Sequence, residues 1–333
     1  MKTLLLKVID GLRLYPLFNK YTKNTATIFM LHSIAADDNH HQDGISPGLL
    51  RRYFDYLKKH RYRVVPLANY IKALLNHEDT YKTVVFSVDD GYRDFYLNAF
   101  PVFREFGYPA TIFITSDFIE KKLFFWWDTI EYAINSTSAK EIDLQFMGRG
   151  RAPIVDANQK NEIIGVVTRH CKTLINKDKL NLVKGLVVQL KVDISNQPGG
   201  KYEPLSWNEI KLMQQHGIDF HPHTKTHPII SSVPVAEQKE EVTVSKKVIE
   251  EKTGATADIF CYPNGQWGDF TEETIMELKA AGYIAAVMGV DGFDNTKSDT
   301  DMFRIKRFGI PYEPELFKQY ICGLEFFKRR FLG

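Results

Sequence analysis

From Thr27 onward, short runs of apolar and β-branched residues alternate with stretches of helical periodicity, which confines the chain to βα units on a mostly parallel sheet. Candidate strands fall at 27–33, 63–67, 83–88, 110–115, 219–223, 258–262, 284–288 and 304–310. They are largely apolar throughout, as strands covered on both faces are. Eight such strands are enough to close a barrel. Helix signals lie between them. Ser46 before Pro47 is an N-cap with proline in the first turn. Gly107 and Gly217 stand where a helix ends in the left-handed region. Thr271 caps a helix over 271–281; a full capping box wants Glu or Gln three residues on, where Thr274 stands, so a simple cap is expected.

Between residues 120 and 204 the pattern changes. FFWWDTIEYAI reads as a helix, mixed strand and helix signals follow, and NQPGGKYEP is a polar, turn-rich stretch, so 120–204 is expected to be an insertion on a barrel spanning 25–313. Segment 1–24 is amphipathic, with Leu5, Val8, Ile9, Leu12 and Tyr15 at helical spacing. Segment 314–333 ends in a basic amphipathic turn with Phe326, Phe327 and Phe331 beside Lys328, Arg329 and Arg330. Such ends either touch a membrane surface or cover their own core, and the second reading is favoured.

The 333 residues are 44% hydrophobic and 25% charged, a globular balance that excludes global disorder. Forty-three basic against 41 acidic side chains leave +2, too little to attract nucleic acid. Cys171, Cys261 and Cys322 are odd in number and far apart, so neither a disulfide framework nor a zinc knuckle is expected. Lys7, Asp10 and Arg13 interrupt what an export signal would need, and no run approaches the roughly 20 apolar residues of a spanning helix. The expectation is a cytoplasmic protein, with contact at the inner face of the membrane as the one peripheral option. Oligomeric state is open.

Three motifs sit at the C-terminal ends of predicted strands, the edge where parallel α/β folds gather their chemistry. FSVDDGYRD presents Asp89 and Asp90 before Gly91. One carboxylate can bind a metal while its neighbour takes a proton from water, although a plain Asp-Asp-Gly turn has the same letters. HPHTKTHP brings His223 and His227, bracketed by prolines, to a strand end and tight loop. Two imidazoles and a carboxylate make a set with open positions, zinc or a similar divalent ion being its occupant; ordinary loop histidines are the alternative, as expected for His40 and His41. FCYPNGQWG is a third strand end, either a simple turn or one that aims backbone N–H groups into a pocket.

Taken jointly, the DDG turn, the H-T-x-x-H-P loop and the aromatic-Pro-x-Gly strand end resemble the polysaccharide deacetylases with a NodB homology domain, carbohydrate esterase family four, over residues 25–310. The resemblance implies an irregular (β/α) barrel of about seven to eight strands, with the insertion as an elaboration. It implies that Asp90, His223 and His227 hold the divalent metal, zinc first, with cobalt, nickel or manganese as alternatives. By the same resemblance Asp89 is the general base, the Tyr262 backbone N–H helps stabilise the oxyanion, and Thr224 supports the loop. The substrate would be an N-acylated amino sugar in envelope or extracellular polysaccharide assembly, or its lipid-linked precursor, cleaved to acetate and a free amine.

The sequence departs from the family in two places. Phe260 and Cys261 occupy the region where an arginine orients the base, so Arg304 or Arg307 of RIKRFGI is expected to take that task. The C-terminal Leu-x-His motif with the general acid is missing; His32 of FMLHSI is the expected substitute, consistent with a circularly permuted strand order, a buried structural histidine being the other reading. His221 replaces a small residue and is expected to narrow the pocket. Trp126, Trp127, Trp207 and Trp267 either line a sugar groove or pack in the core, at least two of them in the core. Deformylation, O-acetyl ester cleavage and an inactive glycan-binding barrel are the competing functions.

Overall fold

The structure, a computed structural model, describes residues 6, 9, 11, 12, 14–38, 44–194, 198–298 and 300–331. Leu5 and Val8 of the first segment, and His40 and His41, lie outside them. Ten strands follow in chain order: β1 Thr27–Leu31, β2 Arg63–Val64, β3 Thr83–Val88, β4 Ala110–Ile114, β5 Glu141–Asp143, β6 Arg151–Pro153, β7 Ile218–Pro222, β8 Ile259–Cys261, β9 Ala285–Val287 and β10 Phe308–Gly309. All eight expected strands are present, several of them shorter. β2 stops early because Pro66 has no N–H to continue the ladder. Of 304–310, only an Ile305 bridge to Val287 and β10 remain.

The sheet runs β10-β1-β3-β4-β7, all parallel, with β2 sharing the β4 edge of β3. β8 and β9 form a second parallel pair, and β9 reaches β10 through the Ile305 bridge. β7 lies beside β8, so the ring of an irregular (β/α) barrel is complete in outline. At that seam two histidines replace the backbone ladder: Ile259 N–H donates to His221 Nδ1 (3.3 Å), and His223 Nδ1–H donates to the Cys261 carbonyl (2.8 Å). His221 therefore serves the barrel wall and is not among the residues bordering the cavity, contrary to the narrowing expected of it.

Alternation along each strand separates two cores. Phe29, Leu31, Phe86, Val88 and Ile112 face outward under the helices, whereas Ile28, Val85, Phe113, Ile259 and Ile305 face inward with Leu67 and Ile71 of helix α2. Here α1 is Pro47–Lys59 and α2 is Leu67–Leu75. Continuing the inward face in steps of two gives Ser87 and then Asp89 beyond Val85, and Arg307 beyond Ile305, so alternation alone carries polar groups into the top of the barrel. The Ser46 hydroxyl accepts from Leu49 N–H (3.2 Å) as expected of an N-cap. The simple cap expected at Thr271 is in fact a full box, because the Thr274 hydroxyl accepts the Thr271 N–H (3.1 Å) in place of a carboxylate.

The segment 120–204 packs as its own unit. Helices α3 (Trp126–Ser136), α4 (Ala157–Cys171) and α5 (Asn176–Leu190), with the β5–β6 hairpin, enclose a core of Trp126, Ile130, Ile163, Val167, Cys171 and Leu186. It returns at the DDG turn, where Leu205 N–H donates to the Gly91 carbonyl and Arg93 N–H to that of Glu203. The two chain ends cover each other: the rings of Phe18 and Tyr21 lie 5.8 and 5.2 Å from that of Phe327. Leu12, Leu17 and Phe331 stay exposed. Among the described residues, no helix is long and apolar enough to cross a membrane.

Candidate metal centre and active site

The DDG turn is built for close quarters. Asp89 N–H closes the β1–β3 ladder on the Leu31 carbonyl (3.0 Å), then Asp90 and Gly91 take positive φ values of 76° and 95°. A Cβ at Gly91 would lie 2.9 Å from Ile114 Cγ2, so both the space and the backbone angle call for glycine. The reversal sends Asp89 into the barrel and Asp90 toward the loop after β7. In that loop Thr224 (φ 66°) and His227 (φ 60°) are also left-handed, and His227 N–H donates to Thr224 Oγ1 (2.9 Å). Glu241, on helix α6 (Val235–Thr253), staples the loop from outside by accepting the N–H groups of Lys225 and Thr226 at 2.8 Å each. Sequence reasoning missed Glu241, whose part depends on how that helix docks.

These turns bring Asp90 Oδ1, His223 Nε2 and His227 Nε2 together. The imidazole nitrogens are 3.1 Å apart and lie 3.5 and 3.3 Å from the carboxylate oxygen. Donors that share one ion at about 2.0–2.2 Å have such spacings, so the set fits a small divalent cation and leaves one face open. The Cys261 carbonyl holds the proton of His223 on Nδ1, leaving Nε2 free as a ligand. Burial pushes His223 down to about 4, which keeps the ring neutral. Burial alone would raise the Asp90 carboxyl, but the hydrogen bond and charge of His227 outweigh it and keep it below the ordinary value. The His227 ring is wedged edge-on against Trp127 and Phe125, with centroids 4.7 and 5.4 Å away.

Asp89 has a different environment. Both its oxygens accept from Arg307, Nη1 at 2.7 Å and Nη2 at 2.8 Å. The same guanidinium reaches Ser87 Oγ, the Met288 carbonyl and Cys261 Sγ. Burial would raise the Asp89 carboxyl, yet the Arg307 charge prevails and holds it well below the usual carboxylate range. Of the two arginines considered, only Arg307 reaches Asp89; Arg304 turns outward to Asp301 and Glu272. His32, just past β1, places Nε2 3.7 Å from Asp89 Oδ2 with half of its side chain exposed to the cavity. It is therefore not a buried core histidine.

Tyr262 borders the cavity, but its N–H donates to the Val287 carbonyl (3.3 Å) as the last rung between β8 and β9, and its hydroxyl donates to Phe303. Pro263 has no N–H. The next amide, Asn264 (φ 61°), makes no hydrogen bond to a described residue and borders the cavity. The proline in FCYPNG was the available sign that the first free amide comes after it. The cavity is about 930 Å³ and is bordered by His32, Asp89, Asp90, His223, His227 and Asn264. One wall is the insertion, through Trp126, Trp127, Asp128, Glu131, Lys172 and Lys201. Trp126 belongs to the insertion's core, Trp207 donates to Glu120 (2.6 Å) and packs on the barrel core, and Trp267 is largely exposed.

The profile of the polysaccharide deacetylases matches residues 76–286, well over half of the chain. A curated relative, the putative polysaccharide deacetylase YxkH of Bacillus subtilis, is 28% identical over 108 residues, 32% of this chain and 37% of that protein. The match thus spans well under half of the relative. Among solved structures, the Streptococcus pyogenes deacetylase PplD in complex with acetate superposes with a TM-score of 0.57 at 17% identity, covering 87% of this chain and 93% of that one. IcaB from Ammonifex degensii superposes with a TM-score of 0.58 at 15% identity, covering 90% and 97%. At these identities the likeness is one of fold.

Proposed function

The chain belongs to the polysaccharide deacetylase family, and from that premise we propose that it is a metal-dependent hydrolase removing N-acetyl groups from an amino-sugar glycan, or from a lipid-linked sugar precursor, in envelope or extracellular polysaccharide assembly. The observation that carries this reading is the convergence of Asp90, His223 and His227 beside an Arg307-bound Asp89 in one cavity. A divalent cation held by the three ligands, zinc first among them, would supply Lewis acidity to the acyl carbonyl and to water. Asp89, kept ionised and oriented by Arg307, takes the proton of the attacking water. The Asn264 N–H, rather than that of Tyr262, is free to donate to the oxygen that gains charge as the acyl carbon becomes tetrahedral. His32, whose Nε2 lies 3.7 Å from Asp89 Oδ2 and whose side chain opens to the cavity, gives a proton to the departing nitrogen as the C–N bond breaks, yielding acetate and a free amine. At about 930 Å³ the cavity is near the top of the about 300–1,000 Å³ range of small-molecule sites, room for more than an acyl group.

The test is product release by the zinc-loaded protein from N-acetylated amino-sugar oligosaccharides, with the acid identified by mass. Acetate with a matching amine is expected. Formate would reassign the acyl group, acetate without amine would make the protein an esterase, and binding with no release would leave a glycan-binding barrel.

A further inference from the structure

Outside the centre just described, the cavity wall holds a buried carboxylate, Asp128, in the first turn of helix α3. It is 6% exposed, and among the described residues no Lys or Arg forms an ion pair with it. Its Oδ2 accepts from the Tyr92 hydroxyl at 2.6 Å, and that hydroxyl in turn accepts the Trp127 indole N–H at 3.0 Å. Among the described residues, nothing donates to Oδ1, although Asp128 borders the cavity. A carboxylate taken out of water with a single neutral donor is costly unless its free oxygen is met from the open side. The cavity is that side. What meets it must be a small donor; an N-acylated amino sugar offers its amide N–H at the scissile group, which the metal centre claims, and hydroxyls around the ring, which are free to reach the wall.

We propose that Asp128 is a specificity residue, whose Oδ1 accepts a hydrogen bond from a hydroxyl of the sugar that carries the scissile acyl group. The inference rests on the hydrolase reading above and adds to it: the centre that cuts belongs to the barrel, while selection of the sugar belongs to the insertion. The Tyr92 and Trp127 bonds fix the carboxylate so that little freedom is lost when the hydroxyl arrives. A hydroxyl that differs in configuration, or is absent, would leave Oδ1 facing the cavity unmet.

The experiment compares wild type with Asp128→Asn, which keeps an oxygen for Tyr92 but removes the charge, and with Asp128→Ala. The probes are N-acetylated amino-sugar oligosaccharides of gluco, galacto and manno configuration and 4-nitrophenyl acetate, which has no sugar. Binding of the oligosaccharides is also measured by calorimetry. For the preferred sugar, kcat/KM should fall roughly 10- to 100-fold in Asp128→Asn, carried by KM, with discrimination among the three configurations narrowed in proportion. On the aryl ester the loss should be several-fold smaller. Equal losses on sugar and ester, or unchanged sugar discrimination, overturn the inference. Sugar binding that weakens in the variant, by a protein that releases no acetate, supports it and sinks the hydrolase reading instead. A wild type that neither binds nor cleaves any of the sugars sinks both.

Discussion

Among the described residues, the barrel and the insertion each bury one Lys or Arg almost completely, and they treat it in opposite ways. Arg307 in the barrel is 1% exposed and spends its guanidinium on both oxygens of Asp89, the Ser87 hydroxyl, the Met288 carbonyl and the Cys261 sulfur. Lys179 in the insertion is also 1% exposed, yet among the described residues no carboxylate pairs with it, and its ammonium lies over the face of the Trp126 ring, 5.2 Å from Nζ. Burial opposes both charges. Asp89 more than compensates for Arg307, which stays above the ordinary arginine value, whereas Lys179 is pushed down to about 8. A buried charge with a full set of partners marks a region arranged for a task beyond stability; one without them is a cost that its surroundings tolerate. The insertion thus reads as an apolar unit that meets the site through the start of α3, the end of α4 and the segment at 200–202.

The largest effect should come from breaking the barrel's pair. Arg307→Met keeps the bulk but strands Asp89, and the metal-free protein should lose about 3–5 kcal/mol in urea unfolding near neutral pH. The sign with pH follows from the lowered Asp89 value: in wild type the pair's contribution is fully present above the ordinary carboxylate range near pH 4, and is lost as pH falls through the depressed native value. The variant should lack that acid-side loss. Arg307→Lys should recover little, because a lysine cannot give two parallel bonds. Stability within 1 kcal/mol of wild type in Arg307→Met would show that the pair is dispensable.

Next in size is a separation within the barrel itself. Asp90→Ala and His223→Ala each remove one of three ligands and should lose zinc, read by competition with a chromogenic chelator, together with activity. Asp89→Asn should retain zinc and lose activity by a factor of about 100 or more. Normal turnover in Asp89→Asn would remove it from the proton transfer.

A smaller change of opposite sign is expected in the insertion. Lys179→Met replaces the lone cation with a side chain of similar length and should stabilise the protein by about 1–3 kcal/mol at neutral pH. Since the native value is near 8 and the unfolded one near 10.5, the unfolded chain holds more protons between them, so wild-type stability should rise across that interval. The variant should lose the rise. A destabilised Lys179→Met would mean that the contact with Trp126 outweighs the burial of the charge.

Much of the barrel could be read from the sequence because each strand ends in its own chemistry, and period-two alternation carries it inward: Val85, Ser87 and Asp89 share one face, as do Ile305 and Arg307. The motif residues could be named without knowing the register. What could not be read depends on contacts between distant elements. The part of His221 in the β7–β8 seam requires knowing that Ile259 lies opposite, and Asp128 looked like any acidic residue in a first helical turn until the insertion was seen to fold over the cavity. Thr274 stood in for a capping glutamate because a hydroxyl can accept the same N–H. The choice between the two arginines of RIKRFGI was undecided because both strand faces there carry apolar residues, Ile305 on one and Phe308 on the other.

That pair gives the finest test of the contrast between compensated and tolerated charge. Arg304 lies three residues before Arg307 and has two carboxylate partners, Asp301 and Glu272, but it is at the surface, where water already solvates the ions and a pair contributes little. Arg304→Ala should therefore cost under about 1 kcal/mol and leave zinc affinity and turnover within twofold of wild type. The lost pairs should matter less still at high salt, where exposed charges are screened. The two substitutions remove the same charge from neighbouring positions, so the gap between them measures what burial and the Asp89 pair contribute. If Arg304→Ala abolished turnover while leaving the fold intact, the assignment of base orientation to Arg307 alone would fail.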